Sequence, residues 1–419
     1  MVNVLSLREK LLKETFWSFA TKGISFSLYF LLNIYLARVL GAEKFGAWSF
    51  FYSILTIVLL FSYFGINSSA RKYVAQYNRD IELYNILKSS AKLRLMFSLF
   101  FSIVIIFIHR PLAILVGRPE FASFFLLCAP LILLAGLVEF LKAIFMGLHR
   151  IKYNFIINFI EYGLKLLLVF LALKLSLDVI SIINSFTIAY FVASTVGFYL
   201  LWIKYFKRNN AKSTDGFSKE ILKYSIPLFF ISIGFLIATE VDTLMLGLLA
   251  TDTEVGIYSV AKQITIKLPH ISLAIAMGSM PVFAKLNKDN KESLKKMFYK
   301  LLKVNALIFS TISLVIIFLS WYFIPLIFGI EYLGSVLPLQ LLTVYLISYS
   351  FSIFLSTFLD YQGLAKKRAF NLLICVILNI GLNYLLIPLY GAIGAATATS
   401  ISYLPYVCLN WIEVRKFLK

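Results

Sequence analysis

The chain divides into about twelve apolar stretches, each near the roughly 20 residues that a helix needs to cross a bilayer. Their cores run 16–37, 46–66, 93–109, 121–146, 154–173 and 179–203, then 224–249, 255–282, 304–328, 336–360, 369–388 and 391–412. No other feature constrains the fold as much. Backbone polar groups in hydrocarbon must be satisfied within their own segment, so apolar segments of this length span as helices. Composition agrees. Hydrophobic residues make up 60% of the chain and charged residues 14%, where a soluble domain carries about a quarter charged. The expected fold class is an all-α, multi-pass membrane protein. Its first ten residues lack an apolar run closed by a small-residue cleavage site, so no removed signal peptide is expected.

A short polar hinge, Tyr35 to Ser49, recurs half a chain later. A shift of 210 positions lays Gly46 on Gly256, Phe45 on Val255, Trp48 on Tyr258 and Ser49 on Ser259. Phe145-Met146-Gly147-Leu148 echoes Tyr361-Gln362-Gly363-Leu364 at a shift of 216. Such self-similarity is an architectural signal. The chain reads as two six-helix repeats, residues 1–210 and 211–419. An even number of helices gives both copies the same orientation, related by an axis along the membrane normal, with a central cleft at their interface. A cleft between similar halves is the physical basis of alternating access.

Basic residues orient the chain, because cytoplasmic loops retain Lys and Arg. With both termini inside the cytoplasmic membrane, 31 of the 40 basic residues fall on the inner side; an odd helix count would scatter them. That topology also accounts for most of the net charge of +20, so the charge by itself says little about a substrate. The five tryptophans fall near expected helix ends, where amphipathic rings favour the headgroup region. Two longer inner stretches, 69–92 and 285–303, mix basic and apolar residues. They are expected to lie as helices on the inner leaflet, basic face toward anionic lipid, with recruitment of a phosphorylated lipid as the alternative.

Ala37-Arg38-Val39-Leu40-Gly41-Ala42-Glu43-Lys44-Phe45-Gly46, followed by Gly65-Ile66-Asn67, Ser69-Ala70-Arg71 and Tyr73-Val74-Ala75-Gln76-Tyr77, resembles the polysaccharide-export flippases. These are the Wzx-like branch of the multidrug, oligosaccharidyl-lipid and polysaccharide exporter superfamily. The resemblance extends through Pro281-Val282-Phe283-Ala284, Gly363 and Gly391-Ala392-Ile393-Gly394. It implies a V-shaped pair of six-helix bundles that moves a lipid-linked oligosaccharide, on a polyprenyl-pyrophosphate carrier, from the inner to the outer leaflet of the cell membrane. It implies no enzyme activity and no cofactor. The partners expected are that lipid-linked glycan and membrane lipids, with H⁺ or Na⁺ as a coupling ion, no nucleic acid, and a monomeric transport unit.

Site candidates come from physics, since intramembrane charges are costly and face a cavity or each other. Lys22, with no acid within four residues on its helix, is a cavity candidate. Gln263, Lys267 and His270 share one face at i, i+4, i+7 spacing, interrupted by Pro269, and a cationic face there suits a pyrophosphate. The alternative for Lys267 is pairing with Glu240 or Asp242; Lys262 is a cavity candidate too, with local pairing or snorkelling as its alternative. Glu161 with Lys165, and Glu139 with Lys142, have the spacing of intrahelical pairs, with cavity lining as the alternative. Glu240 and Asp242 are ion-coupling candidates. Two positions apart, they point roughly 200° apart on a helix, so one of them is expected to be structural.

Competing readings are a cation-coupled multidrug exporter and a membrane glycosyltransferase or polymerase. The first favours an acidic cavity, whereas Lys22, Lys165, Lys262 and Lys267 balance the four embedded acids. The second needs a long, equipped catalytic loop, and no phosphate-binding Gly-rich loop with Lys and Ser/Thr occurs either. Cys128, Cys375 and Cys408 stand singly in apolar segments and show no metal-ligand spacing; core packing is expected. Close packing is likewise the simplest reading of the small-residue run from Gly391 to Ala398.

Overall fold

The computed structural model describes residues 4–77, 80–175, 178–206, 216–269, 271–273 and 291–418. Every regular element among them is helical. In order these are α1 (Val4–Tyr63), α2 (Ile66–Gln76), α3 (Asp80–Leu115), α4 (Phe121–Gly147), α5 (Ile151–Lys174), α6 (Val179–Leu201), α7 (Ser218–Leu249), α8 (Asp252–Lys267), α9 (Lys291–Phe328), α10 (Val336–Tyr361) and α11 (Ala365–Leu418). A π turn, Trp202–Phe206, follows α6, and a 3₁₀ turn, Ile330–Ser335, precedes α10.

Nine helices among the described residues are long and apolar enough to cross a membrane. Two of them are double. α1 bends at Gly41 (φ 73°) and α11 at Gly391 (φ 52°), so each holds two of the expected spans end to end. Both bends need a left-handed backbone, which glycine adopts without a Cβ penalty. After Gly391 the helix restarts with its Ala392 amide donating to the Glu254 carboxylate at 2.6 Å, a side-chain solution to the orphan amides of a helix start. Gly391 is therefore a turn residue rather than only a packing residue. α8 supplies the first part of the expected span 255–282, the rest of which lies largely outside the described residues.

The chain forms two compact units, Met1–Tyr35 with Phe51–Leu236, and Leu36–Phe50 with Ile237–Lys419. The bend of α1 thus belongs with the second unit. Arg38 Nε donates to the Ile327 carbonyl at 2.7 Å, its Nη2 to the Leu326 carbonyl, and Tyr332 Oη to the Ala37 carbonyl at 3.0 Å. Close approach of α1 and α8 completes this attachment. A Cβ on Gly46 would lie 2.7 Å from the Gly256 nitrogen and closer still to the Asp252 carbonyl oxygen. One on Gly256 would lie 3.0 Å from the Ala42 carbonyl carbon. Gly46 and Gly256, which the 210-position shift aligns, are in backbone contact with each other.

In the first unit, α2 departs from the lipid-facing helix expected for 69–92. Its apolar face, Ile66, Ala70 and Val74, is buried, and Ser69 Oγ donates to the Ile221 carbonyl of α7 at 2.9 Å. Lys72 sits 3.7 Å over the Tyr224 ring. The apolar face finds protein instead of acyl chains. The second such stretch also differs: from Lys291 it is the start of the 38-residue α9, and 285–290 lie outside the described residues. Trp48 is buried rather than interfacial. Cys128 and Cys375 are buried as expected, but Cys408 is exposed.

Candidate functional site

Two polar sites stand out, one in each unit. In the first unit a cavity of about 440 Å³ opens between α1, α2, α4 and α5. Lys22 lines it from α1, Arg71 from α2, Glu139 and Lys142 from α4, and Asn154, Asn158 and Tyr162 from α5. Three basic groups against one carboxylate leave its lining net positive. Lys22 and Arg71 make no ion pair among the described residues, so their charge is available to a ligand.

Behind this cavity four charges form one network. Lys142 Nζ lies 2.7 Å from Glu139 Oε1 and 2.5 Å from Glu161 Oε2, while Lys165 Nζ lies 2.6 Å from Glu161 Oε1. Both intrahelical pairs form, and Lys142 joins them across α4 and α5. The Lys165 ammonium also sits 3.7 Å over the Tyr190 ring of α6, a cation–π contact that is strong where water is excluded. Glu161 and Lys165 have side chains 2% and 3% exposed, against 39% for Glu139. Glu139 and Lys142 line the cavity, and Glu161 and Lys165 are buried behind them.

In the second unit Asp242, on α7, is buried. Its carboxylate accepts from Tyr258 Oη of α8, Thr399 Oγ1 of α11 and Asn383 Nδ2 of α11, each at 2.7 Å. Asn383 Nδ2 also donates to Asn379 Oδ1 at 3.1 Å, while Asn383 Oδ1 is buried without a partner among the described residues. No Lys or Arg pairs with Asp242 among the described residues. A buried carboxylate that accepts from two hydroxyls and one amide, with no counter-charge among the described residues, supplies the kind of oxygen that hard cations prefer.

Glu240 takes different partners. Lys262 reaches its carboxylate and Thr243 Oγ1, each at 2.9 Å, and so pairs locally. The two acids take separate partners, consistent with their roughly 200° separation on one helix. Gln263 and Lys267 both lie on α8, where Gln263 Oε1 is buried without a partner among the described residues. His270 lies outside the described residues. α8 ends at Lys267, so the continuous cationic face through His270 is not formed by described helix.

Sequence reasoning missed Arg71, which belongs to the stretch 69–92 expected to turn its basic face toward anionic lipid, and the Asn379, Asn383, Thr399 and Tyr258 shell. A signal existed. Asn154, Asn158, Glu161 and Lys165 form an i, i+4, i+7, i+11 stripe on an otherwise apolar helix, and Asn379 and Asn383 are four apart. Such stripes face protein or a cavity, because amides in lipid are unsatisfied.

Comparison with known proteins follows the same lines. Residues 227–385 match the MatE family model. An uncharacterized membrane protein of Methanocaldococcus jannaschii is 27% identical, covering 95% of both chains. The probable low-salt glycan biosynthesis flippase Agl15 of Haloferax volcanii is 25% identical over 90% of this chain and 77% of its own. Among solved structures, an inward-facing multidrug resistance MATE family transporter of the MOP superfamily superposes with a TM-score of 0.79 at 16% identity, covering 95% of this chain and 97% of that one. The lipid II flippase MurJ gives 0.76 at 21%, covering 96% and 87%. These likenesses establish the fold, a helical membrane-transporter fold shared with MATE and MurJ. Residues 11–287, well over half of the chain, match the model of the polysaccharide biosynthesis protein family, and the chain belongs to that family.

Proposed function

We propose that the protein is a flippase that moves a lipid-linked oligosaccharide across the cytoplasmic membrane by alternating access. One observation carries this reading: the membrane-embedded cavity of the first unit has a net positive, amide- and hydroxyl-rich lining, with Lys22 and Arg71 in no ion pair among the described residues. Ammonium and guanidinium groups suit a diphosphate, the guanidinium bidentately. Ser18, Thr21, Asn154 and Asn158 can exchange hydrogen bonds with sugar hydroxyls. The glycan flippase and the lipid II flippase among the relatives support the same substrate class.

In this reading residues 1–210 and 211–419 are the two six-helix repeats, both termini are cytoplasmic, and one chain is the transport unit. No covalent chemistry is required of it. Asp242 is the coupling site, for sodium or a proton, and Glu240 is structural. The match to the MatE model keeps a multidrug exporter as the second reading. The basic cavity lining argues against it, because organic cations need acids or aromatic faces there.

The test is leaflet-to-leaflet movement of a fluorescent polyprenyl-diphosphate oligosaccharide in proteoliposomes. Native protein should translocate it, and Lys22→Gln/Arg71→Gln should slow it at least tenfold with melting unchanged. Equal rates in both would sink the cavity assignment. No movement by native protein under sodium or proton gradients, with efflux of a cationic dye instead, would favour the exporter.

A further inference from the structure

We infer that the first turns of α9 form a separate recruitment site for the diphosphate headgroup of an inner-leaflet lipid. The helix has 38 residues, about 57 Å at 1.5 Å per residue, against a hydrocarbon core of about 30 Å. Its uncharged run begins at Val304. The segment before it therefore stands at headgroup level or beyond.

On this segment Lys295, Lys296, Tyr299, Lys300 and Lys303 fall within an arc of about 140°, taking 100° per residue. The opposite arc, Leu294, Phe298 and Leu302, is buried against Phe354, Phe358 and Val414. That packing fixes the rotation of the helix, so the basic arc faces outward. It borders an open concavity of about 620 Å³ lined by the four lysines, Tyr299 and Glu292. Glu292 pairs with Lys296 at 3.1 Å, and Lys295, Lys300 and Lys303 make no ion pair among the described residues. The Tyr299 ring packs edge-on to Trp411 of α11 with centroids 5.9 Å apart, which gives the site a firm aromatic floor.

Positive-inside retention alone requires basic residues near a membrane end, but scattered ones serve equally well. Here Lys296, Lys300 and Lys303 lie at i, i+4, i+7, with neighbours about 5–6 Å apart, close enough for one diphosphate to touch three ammoniums. A singly charged phosphodiester satisfies fewer of them. The site would concentrate the anionic carrier lipid beside the transporter before it enters the cavity. Only the identity of that lipid rests on the flippase reading.

The test uses full-length protein in neutral detergent, on a Lys22→Gln/Arg71→Gln background that silences the cavity. Calorimetric titrations use geranylgeranyl diphosphate, geranylgeranyl monophosphate, inorganic diphosphate and short-chain phosphatidylglycerol. Geranylgeranyl diphosphate should bind at least tenfold more tightly than the other three, and Lys296→Gln/Lys300→Gln/Lys303→Gln should weaken it at least tenfold. Equal binding of phosphatidylglycerol would reduce the patch to general attraction for anionic lipid. Equal binding of inorganic diphosphate would make it a free-anion site. Either result, no binding at all, or an unchanged triple variant overturns the inference. Binding here with no glycan-lipid movement by native protein would instead overturn the flippase reading and leave this site standing.

Discussion

Gly256→Ala should unseat the bend of α1 from α8. The added methyl would lie 3.0 Å from the Ala42 carbonyl carbon and 3.3 Å from the Gly46 nitrogen, and nearer to the Ala42 oxygen. Comfortable contact needs about 3.5–4.0 Å, so the helices must part by roughly 1 Å at a crossing where backbone touches backbone. Overpacking of this kind costs about 1–3 kcal/mol. The upper part of that range applies, because the clashing atoms are main chain and cannot rotate away. Gly46→Ala meets the same obstacle from the other side, with the Gly256 nitrogen at 2.7 Å. Both substitutions demand the same separation. The double variant should therefore lose about as much as the worse single one, a departure from additivity typical of contacting sites. Thermal unfolding can be followed with a thiol-reactive dye on a Cys408→Ser background, since Cys128 and Cys375 are buried and become accessible on opening. Gly163→Ala and Gly381→Ala have nothing within 4 Å of the new methyl and should be neutral or stabilising by up to about 1 kcal/mol through helix propensity. Gly256→Ala melting with the native protein, or additive losses in the double variant, would refute the crossing as described.

The charge network should divide sharply by burial. Glu161→Gln leaves Lys165 without its carboxylate and should cost about 3–5 kcal/mol, whereas Glu139→Gln, at a 39% exposed side chain, should cost about 1 kcal/mol or less; chemical unfolding in mild detergent measures both, and similar losses would contradict the nesting of the two pairs. Sodium at 100 times its dissociation constant would stabilise a specific site by about 2.7 kcal/mol. Melting in sodium against choline chloride should show such a shift for native protein and none for Asp242→Asn, and an equal shift in both places sodium elsewhere. Lys262→Gln, by contrast, removes a partly exposed pair with Glu240, should cost about 1 kcal/mol or less, and should leave the sodium-dependent shift intact. Arg38→Gln removes the hydrogen bonds to the Leu326 and Ile327 carbonyls at the end of α9 and should lower stability by about 1.5–3 kcal/mol, read in the same melts.

Much of the architecture follows from local physics that the sequence displays directly. Segment length against bilayer thickness depends on the chain alone, so class and approximate spans could be read without coordinates. Intrahelical spacing likewise foretold the Glu161–Lys165 and Glu139–Lys142 pairs, because residues three or four apart meet whatever surrounds them. Contacts between helices have no such local signature. That Lys142 joins the two pairs, that Arg71 turns toward the cavity beside Lys22, and that Asp242 gathers Tyr258, Asn383 and Thr399 from two other helices depend on how ridges and grooves pack. So does the docking of α2, whose amphipathic pattern fits a lipid surface and a protein groove equally well. Hydrophobic spacing specifies that a face is buried; only the packed neighbours, here α3 and α4 together with Ile221 of α7, decide against what.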